Sequence, residues 1–230
     1  FFFFFCFFFF FFFKFEMTTT EQILSHAICR NLSDRSYDKR KQGALAIEQH
    51  IRSLNNEQII NKNENNNNNN NNDTQTIIND KKISPSIVKI INFLISTFIR
   101  STQANHRKGG LIGLAGVALG LNRYTSLYLN IMLPAVCSLL SDQESRVRYY
   151  ACESLYNISK VARDNVLLHF DRIFNGLCTL LQDPDNNVKE AASLLDRLIK
   201  EIVTRCGDHF NLNLFIPILV TNINNSHPMV

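Results

Sequence analysis

SDQESRVRYYACESLYNI at 141–158 and QDPDNNVKEAASLLDRLI at 182–199 fall on one another when the chain is shifted by 41 residues. Asp142 lands on Asp183, Val147 on Val188 and Arg148 on Lys189. The segments before them keep the same register: Leu133 lands on Phe174 and then on Phe215, and Val136 lands on Leu177 and then on Ile218. Shifted the other way, Arg148 lands on Arg107, Ala151 on Gly110 and Leu140 on Ile99. A constant stride of this length is the mark of a stacked repeat, and it outranks any single motif.

Within each unit the apolar residues recur at three and four, as in Ile87, Ile90, Ile91, Leu94 and Phe98, and no stretch alternates strictly. The fold expected is therefore all-α. Two helices per unit, a turn carrying aspartate and a Val-Arg or Val-Lys start to the second helix make the HEAT pattern, and Leu133-Pro134 in the first helix agrees with it. One helix pair cannot cover its own apolar face, so successive antiparallel pairs stack into a HEAT/armadillo-like α-solenoid. Leu133, Val136, Val147, Leu155, Phe174, Leu177, Val188 and Phe215 are the expected repeat core.

An earlier unit is visible in SDRSYDKRKQGALAI at 33–47, where Asp34 and Arg40 keep the six-residue interval of Asp142 and Arg148. We expect a first repeat over 17–54, an Asn-rich disordered loop over 55–82, three consecutive repeats over 83–206 and the start of a further repeat over 207–230. The unbroken asparagines at 65–72 have no apolar group to bury, and lengthening a surface loop costs little. Asn222 to Pro228 fall at the turn after a fifth first helix, so we expect an N-terminal part of a longer solenoid.

Residues 1–15, FFFFFCFFFFFFFKF, hold 13 of the 19 phenylalanines without period or turn. The run is short of the roughly 20 apolar residues of a spanning helix and has no basic start or small-residue cleavage site. We read 1–16 as a mis-translated extension, with Met17 as the natural start.

A net charge of +4, dispersed along the chain, does not make the clustered basic face that nucleic acid requires. The six cysteines contain no CxxC pair and read as small buried apolar residues in a reducing compartment. The six histidines include no HExxH and no pair at i, i+4, so neither a metal nor a cofactor is expected. RKGGLIGLAGVALG at 107–120 is not a phosphate loop, because Lys108 precedes its glycines and no strand leads into it. Gly109, Gly113, Gly116 and Gly120 recur at four, three and four, on one side of a second helix. Each costs that helix about 1 kcal/mol, which implies close internal packing rather than a groove for a partner.

Arg107, Arg148 and Lys189 occupy equivalent positions and are expected to meet turn carboxylates such as Asp142 and Asp183. Arg146, Arg148, Tyr149 and Tyr150 form the densest cationic and aromatic cluster, the combination enriched in interface hot spots. With Arg107 and Lys108, these are the candidate partner-binding residues. No catalytic constellation is present, and a solenoid rarely offers the closed pocket that catalysis needs.

HRKGGLIGLAGVALG at 106–120, SRVRYYACESLYNISKVAR at 145–163 and LLHFDRIFNGLCTLLQDPDNNVKEAASLLDRLIKEIV at 167–203 resemble the N-terminal HEAT-repeat region of the Vac-fourteen family. The likeness runs from about Leu32 to Leu219, without the asparagine loop. It implies a non-enzymatic scaffold joining a PIKfyve-type phosphatidylinositol 3-phosphate 5-kinase to its opposing Sac-type phosphatase. It also implies control of phosphatidylinositol 3,5-bisphosphate from a cytoplasmic position, peripheral on endosomal and vacuolar membranes, with membrane association indirect. Self-association in the family belongs to a C-terminal half that this chain lacks. The competing reading is a HEAT adaptor for nuclear transport or protein phosphatase regulation.

Overall fold

Every helix pair turns on one short side chain. Asp34 Oδ1 accepts from Ser36 N at 2.8 Å, Asp142 Oδ1 from Glu144 N at 2.9 Å and Asp183 Oδ1 from Asp185 N at 2.9 Å. Ser101 Oγ takes the same place, accepting from Gln103 N at 3.1 Å. An oxygen two residues back satisfies an amide that the coming helix leaves unpaired, and so fixes where the second helix starts.

The structure, a computed structural model, describes residues 23–65 and 83–206, with positions 216, 217 and 220. Among these residues α1 (His26–Ser33) pairs with α2 (Tyr37–Asn65). The second pair is α3 (Pro85–Phe93), which runs on as a π-helical segment (Leu94–Ile99), and α4 (Ala104–Leu121). A 3₁₀ segment (Asn122–Tyr128) leads into α5 (Leu129–Cys137), which pairs with α6 (Ser145–Ala162). Another (Arg163–His169) leads into α7 (Phe170–Leu180), which pairs with α8 (Asn186–Cys206). The second helices α2, α4, α6 and α8 pack on one another in that order, and this row is the spine of an all-α solenoid.

The core is continuous from Leu24 to Ile202. Leu133, Val136, Val147, Leu155, Leu177 and Val188 are buried within it. Phe174 departs from its expected place: it is only half-buried and stacks on Phe170, with ring centroids 5.4 Å apart. The same register therefore gives full burial to Leu133 and partial burial to Phe174. Phe215 falls outside the described residues, as do the tract at 1–16, Met17, Cys6 and nearly all of 207–230.

The loop expected over 55–82 begins later than its composition suggested. Helix α2 continues to Asn65, and Asn55 is buried. Extending a helix adds one hydrogen bond per residue fixed, and Glu57, Gln58, Ile59, Ile60 and Lys62 are tolerable in it, so a helix already nucleated continues at little cost. Residues 66–82 lie outside the described residues. Where the chain returns, Ser84 N donates to the buried Tyr128 hydroxyl at 2.8 Å, and Pro85 opens α3.

Gly109, Gly116 and Gly120 of α4 lie against backbone carbonyls. A Cβ on Gly109 would stand 2.0 Å from the Leu32 carbonyl oxygen, and one on Gly116 would stand 2.7 Å from that of Ala44. Helix α4 therefore lies directly against α1 and α2, as the spacing implied. Of the cysteines in the described residues, Cys152 alone is fully buried; Cys29, Cys137, Cys178 and Cys206 are half-buried, which corrects the expectation of uniform burial. The reason is position: Cys152 faces the row of second helices, and Cys137 ends α5 at a turn. Burial still pushes the Cys137 and Cys152 thiols up to about 12, so both stay protonated.

Asn122 and Arg163, 41 residues apart, end α4 and α6 with φ 52° and ψ −128° and with φ 51° and ψ −130°. Both sit in a region that side chains strongly disfavour. Arg163 is exposed, so Arg163→Gly relieves strain without losing packing and is expected to stabilise by about 1 kcal/mol after the added freedom of the unfolded chain is discounted. Gly109→Ala has the opposite sign. Its helix-propensity gain of about 1 kcal/mol is outweighed by a backbone clash costing about 3 kcal/mol. Urea unfolding of both variants beside the wild type checks the pair; a stabilised Gly109→Ala would mean that α4 does not touch α1.

Candidate functional site

Arginines at the starts of the second helices tie successive turns together. Arg148 donates through Nη1 to the carbonyls of its own turn, Asp142 at 2.7 Å and Gln143 at 3.1 Å. Its other edge grips the next turn, Nε to Asp183 Oδ2 at 2.6 Å and Nη2 to Asp183 Oδ1 at 2.9 Å. Arg107 repeats this one unit earlier, with Nη1 on the Ser101 and Thr102 carbonyls and Nη2 on Asp142 Oδ1 at 3.0 Å. Arg107 Nε is 2.7 Å from Asp142 Oδ2 but has its N–H misaligned, so Nη2 carries the directed bond. Both pairs are largely removed from water, with side-chain exposures of 14% and 8% and of 13% and 5%. Hydrogen bonding from Arg148 holds the Asp183 carboxyl below its ordinary value, against the opposing effect of burial.

This geometry divides the six candidate partner-binding residues. Arg107 and Arg148 are committed to internal pairs and belong to the scaffold. Arg146 is exposed, and Lys108, Tyr149 and Tyr150 are half-buried on the same face of second helices. The structure adds residues the sequence reading missed. Arg40 starts α2 as Arg148 starts α6, with Nη1 on the Asp34 and Arg35 carbonyls at 2.8 Å each. Its Nη2 reaches the Tyr150 hydroxyl at 3.0 Å, and its guanidinium lies 5.3 Å from the centre of the Tyr150 ring. Tyr37 approaches Tyr150 at 6.3 Å between centroids, and Tyr149 meets it edge-on at 5.5 Å. The first and third pairs thus touch across the second, which is possible because α4 is thinned by glycine where it passes between them. The six-residue interval from Asp34 to Arg40 was the signal that could have found Arg40.

Beside this cluster a cavity of about 220 Å³ opens between α6 and α8, lined by Tyr149, Cys152, Glu153, Tyr156, Ala191 and Leu194. Leu194 is half in solvent, at 53% exposure. Burial raises the Glu153 carboxyl above the usual range, with partial relief from Lys41. Apolar area, aromatic rings and a few charges on rigid helices suit the binding of a protein segment. Among the described residues no three His, Cys, Asp or Glu side chains could share a metal ion, and no helix is long and apolar enough to cross a membrane.

Residues 105–201, which include α6, its cavity and both ion pairs, match the family described as the Vacuolar 14 Fab1-binding region. The chain is 46% identical over 204 residues to the Protein VAC14 homolog of Arabidopsis thaliana, covering 89% of this chain and 24% of that protein. It is 36% identical over 190 residues to the Vacuole morphology and inheritance protein 14 of Saccharomyces cerevisiae, covering 81% of this chain and 19% of that one. The Protein VAC14 homolog of Schizosaccharomyces pombe is 36% identical over 181 residues, with 78% and 20% covered. The chain therefore spans a quarter or less of the length of these curated relatives. Among solved structures, an engineered protein aligns with a TM-score of 0.45 at 17% identity, covering 77% of this chain and 66% of that one. A designed armadillo repeat protein in complex with peptide (KR)4 aligns at 0.43 and 16%, covering 91% and 90%.

Asp183→Asn leaves the Arg148 guanidinium buried against a neutral amide and is expected to cost about 3 kcal/mol. Because the folded Asp183 pKa lies below the unfolded value near 4, the pair stabilises the fold above that value and its contribution fades as pH falls through the folded one. Urea midpoints between pH 3 and pH 7 should fall toward acid in the wild type and fall less steeply in Asp183→Asn; equal slopes would remove Asp183 from the account.

Proposed function

The chain belongs to the VAC14 family, and from that premise we propose that it is a non-catalytic scaffold that docks a Fab1-type lipid kinase on the face formed by α4, α6 and α8. One observation carries the reading: the segment matching the Fab1-binding region contains an exposed Arg146, the Tyr149–Tyr150 pair and the adjoining apolar cavity. Aromatic residues and arginine in such a setting are the usual anchors of a protein interface. The paired arginines beneath them keep α6 and α8 in fixed register, so the anchors are ordered before a partner arrives and less ordering entropy is lost on binding.

The resemblance supports the rest of the proposal. A Sac-type phosphoinositide phosphatase is a second partner of the assembled scaffold, and the assembly controls phosphatidylinositol 3,5-bisphosphate at vacuolar and endosomal membranes. The scaffold reaches those membranes through its partners.

The test is capture of purified Fab1-type kinase by the immobilised chain. Arg146→Glu combined with Tyr149→Ala removes two anchors that take no part in the ion pairs, and is expected to weaken capture at least about tenfold while the variant keeps its helical circular dichroism and a cooperative melt. Wild-type capture by a folded double variant would move the docking site elsewhere.

A further inference from the structure

The series of ion pairs is incomplete at its first step. Arg107 meets Asp142, and Arg148 meets Asp183, each 35 residues further on. The residue that register assigns to Arg40 is Ser101, which lies 41 before Asp142 and builds the same turn through Gln103 N. Serine reproduces the turn bond but supplies no charge. Arg40 is 3% exposed, its Nε has no partner, and no carboxylate among the described residues pairs with it. Tyr150 stands in place of the missing group, giving a neutral oxygen to Nη2 and a ring face to the guanidinium.

Asp34, whose carboxyl feels the charge of Arg40, is taken up by Ser36 N and Lys39, so the buried guanidinium has no carboxylate on its fork, and a carboxylate satisfies that fork better than a phenol does. Positive charge is in excess nearby. Lys108 is held below its ordinary pKa by burial first, then by repulsion from Arg40 and Arg146, with Glu144 offsetting part of this. Exposed Lys41 follows Arg40 directly, and Tyr37, at 43% exposure, forms an aromatic wall beside Tyr150.

We propose that the Arg40 position is a carboxylate-binding site, filled by an aspartate or glutamate from an acidic segment of a protein partner that displaces the Tyr150 hydroxyl and completes the series. The two finished steps define the ligand: a single carboxylate on a short side chain, held by Nε and Nη2 in the Arg148 step and by Nη2 with Nε close by in the Arg107 step. The docking reading given above gains from this the chemistry of the partner segment, acidic and laid along the second helices.

A fluorescein-labelled hexaaspartate peptide, followed by anisotropy at low salt with the full chain, tests the site. Ser101→Asp supplies the missing carboxylate from within. It is expected to raise the melting temperature and to weaken peptide binding at least about tenfold. Ser101→Asn, of the same size without the charge, keeps wild-type affinity. Tyr150→Phe removes the competing hydroxyl and binds the peptide several-fold more tightly, a gain that loss of structure does not produce. Unchanged binding by Ser101→Asp, or equal loss in Ser101→Asn, would overturn the proposal. The kinase is absent from this assay, so its result does not depend on whether the kinase docks here.

Discussion

The guanidiniums of Arg107 and Arg148, near the starts of α4 and α6, each reach both their own turn and the next one, and the register of α4, α6 and α8 depends on that double grip. Nη1 closes the turn that its own helix leaves, while Nε and Nη2 hold the carboxylate that shapes the following turn. The same aspartate caps the amide two residues on. Register between units is thus set by groups that also set the start of each helix, and apolar packing fills the space so defined. Hydrophobic burial supplies most of the free energy but has no direction, whereas a forked ion pair at 2.6 Å and 2.9 Å does.

Departures from the regular unit are concentrated around α4. Glycines there let the helix lie on the carbonyls of Leu32 and Ala44, so the first and third pairs meet across it. At the same place the turn residue is serine rather than aspartate, and an arginine is left beneath a tyrosine. Thinness, aromatic cover and excess charge therefore coincide in one stretch of an otherwise repetitive surface.

Much of the architecture was legible in the 41-residue stride, because period and apolar spacing report directly on helices that share an environment. The ion pairs of Arg107 and Arg148 were legible for the same reason, since Asp142, Arg148 and Asp183 recur in register, but Lys189, expected to do the same, has no ion pair among the described residues. What escaped the sequence was local. Helix α2 runs on through Asn55 to Asn65 because extension is cheap once a helix exists, a fact composition does not encode. Phe174 is half-buried although its equivalent Leu133 is fully buried, so equal register does not guarantee equal burial. Arg40 was visible only as an interval; that its counter-ion had become a serine needed the geometry of the other two steps.

The bond from Ser84 to Tyr128 has a consequence for how this chain can be altered. The chain re-enters the stack at a point held by a tyrosine from a later unit, and it leaves from a helix whose buried face extends at least to Asn55. The helix before the asparagine tract and the segment after it are each held by contacts of their own. A reporter domain spliced in at this junction would therefore join two segments that each hold their own place in the stack.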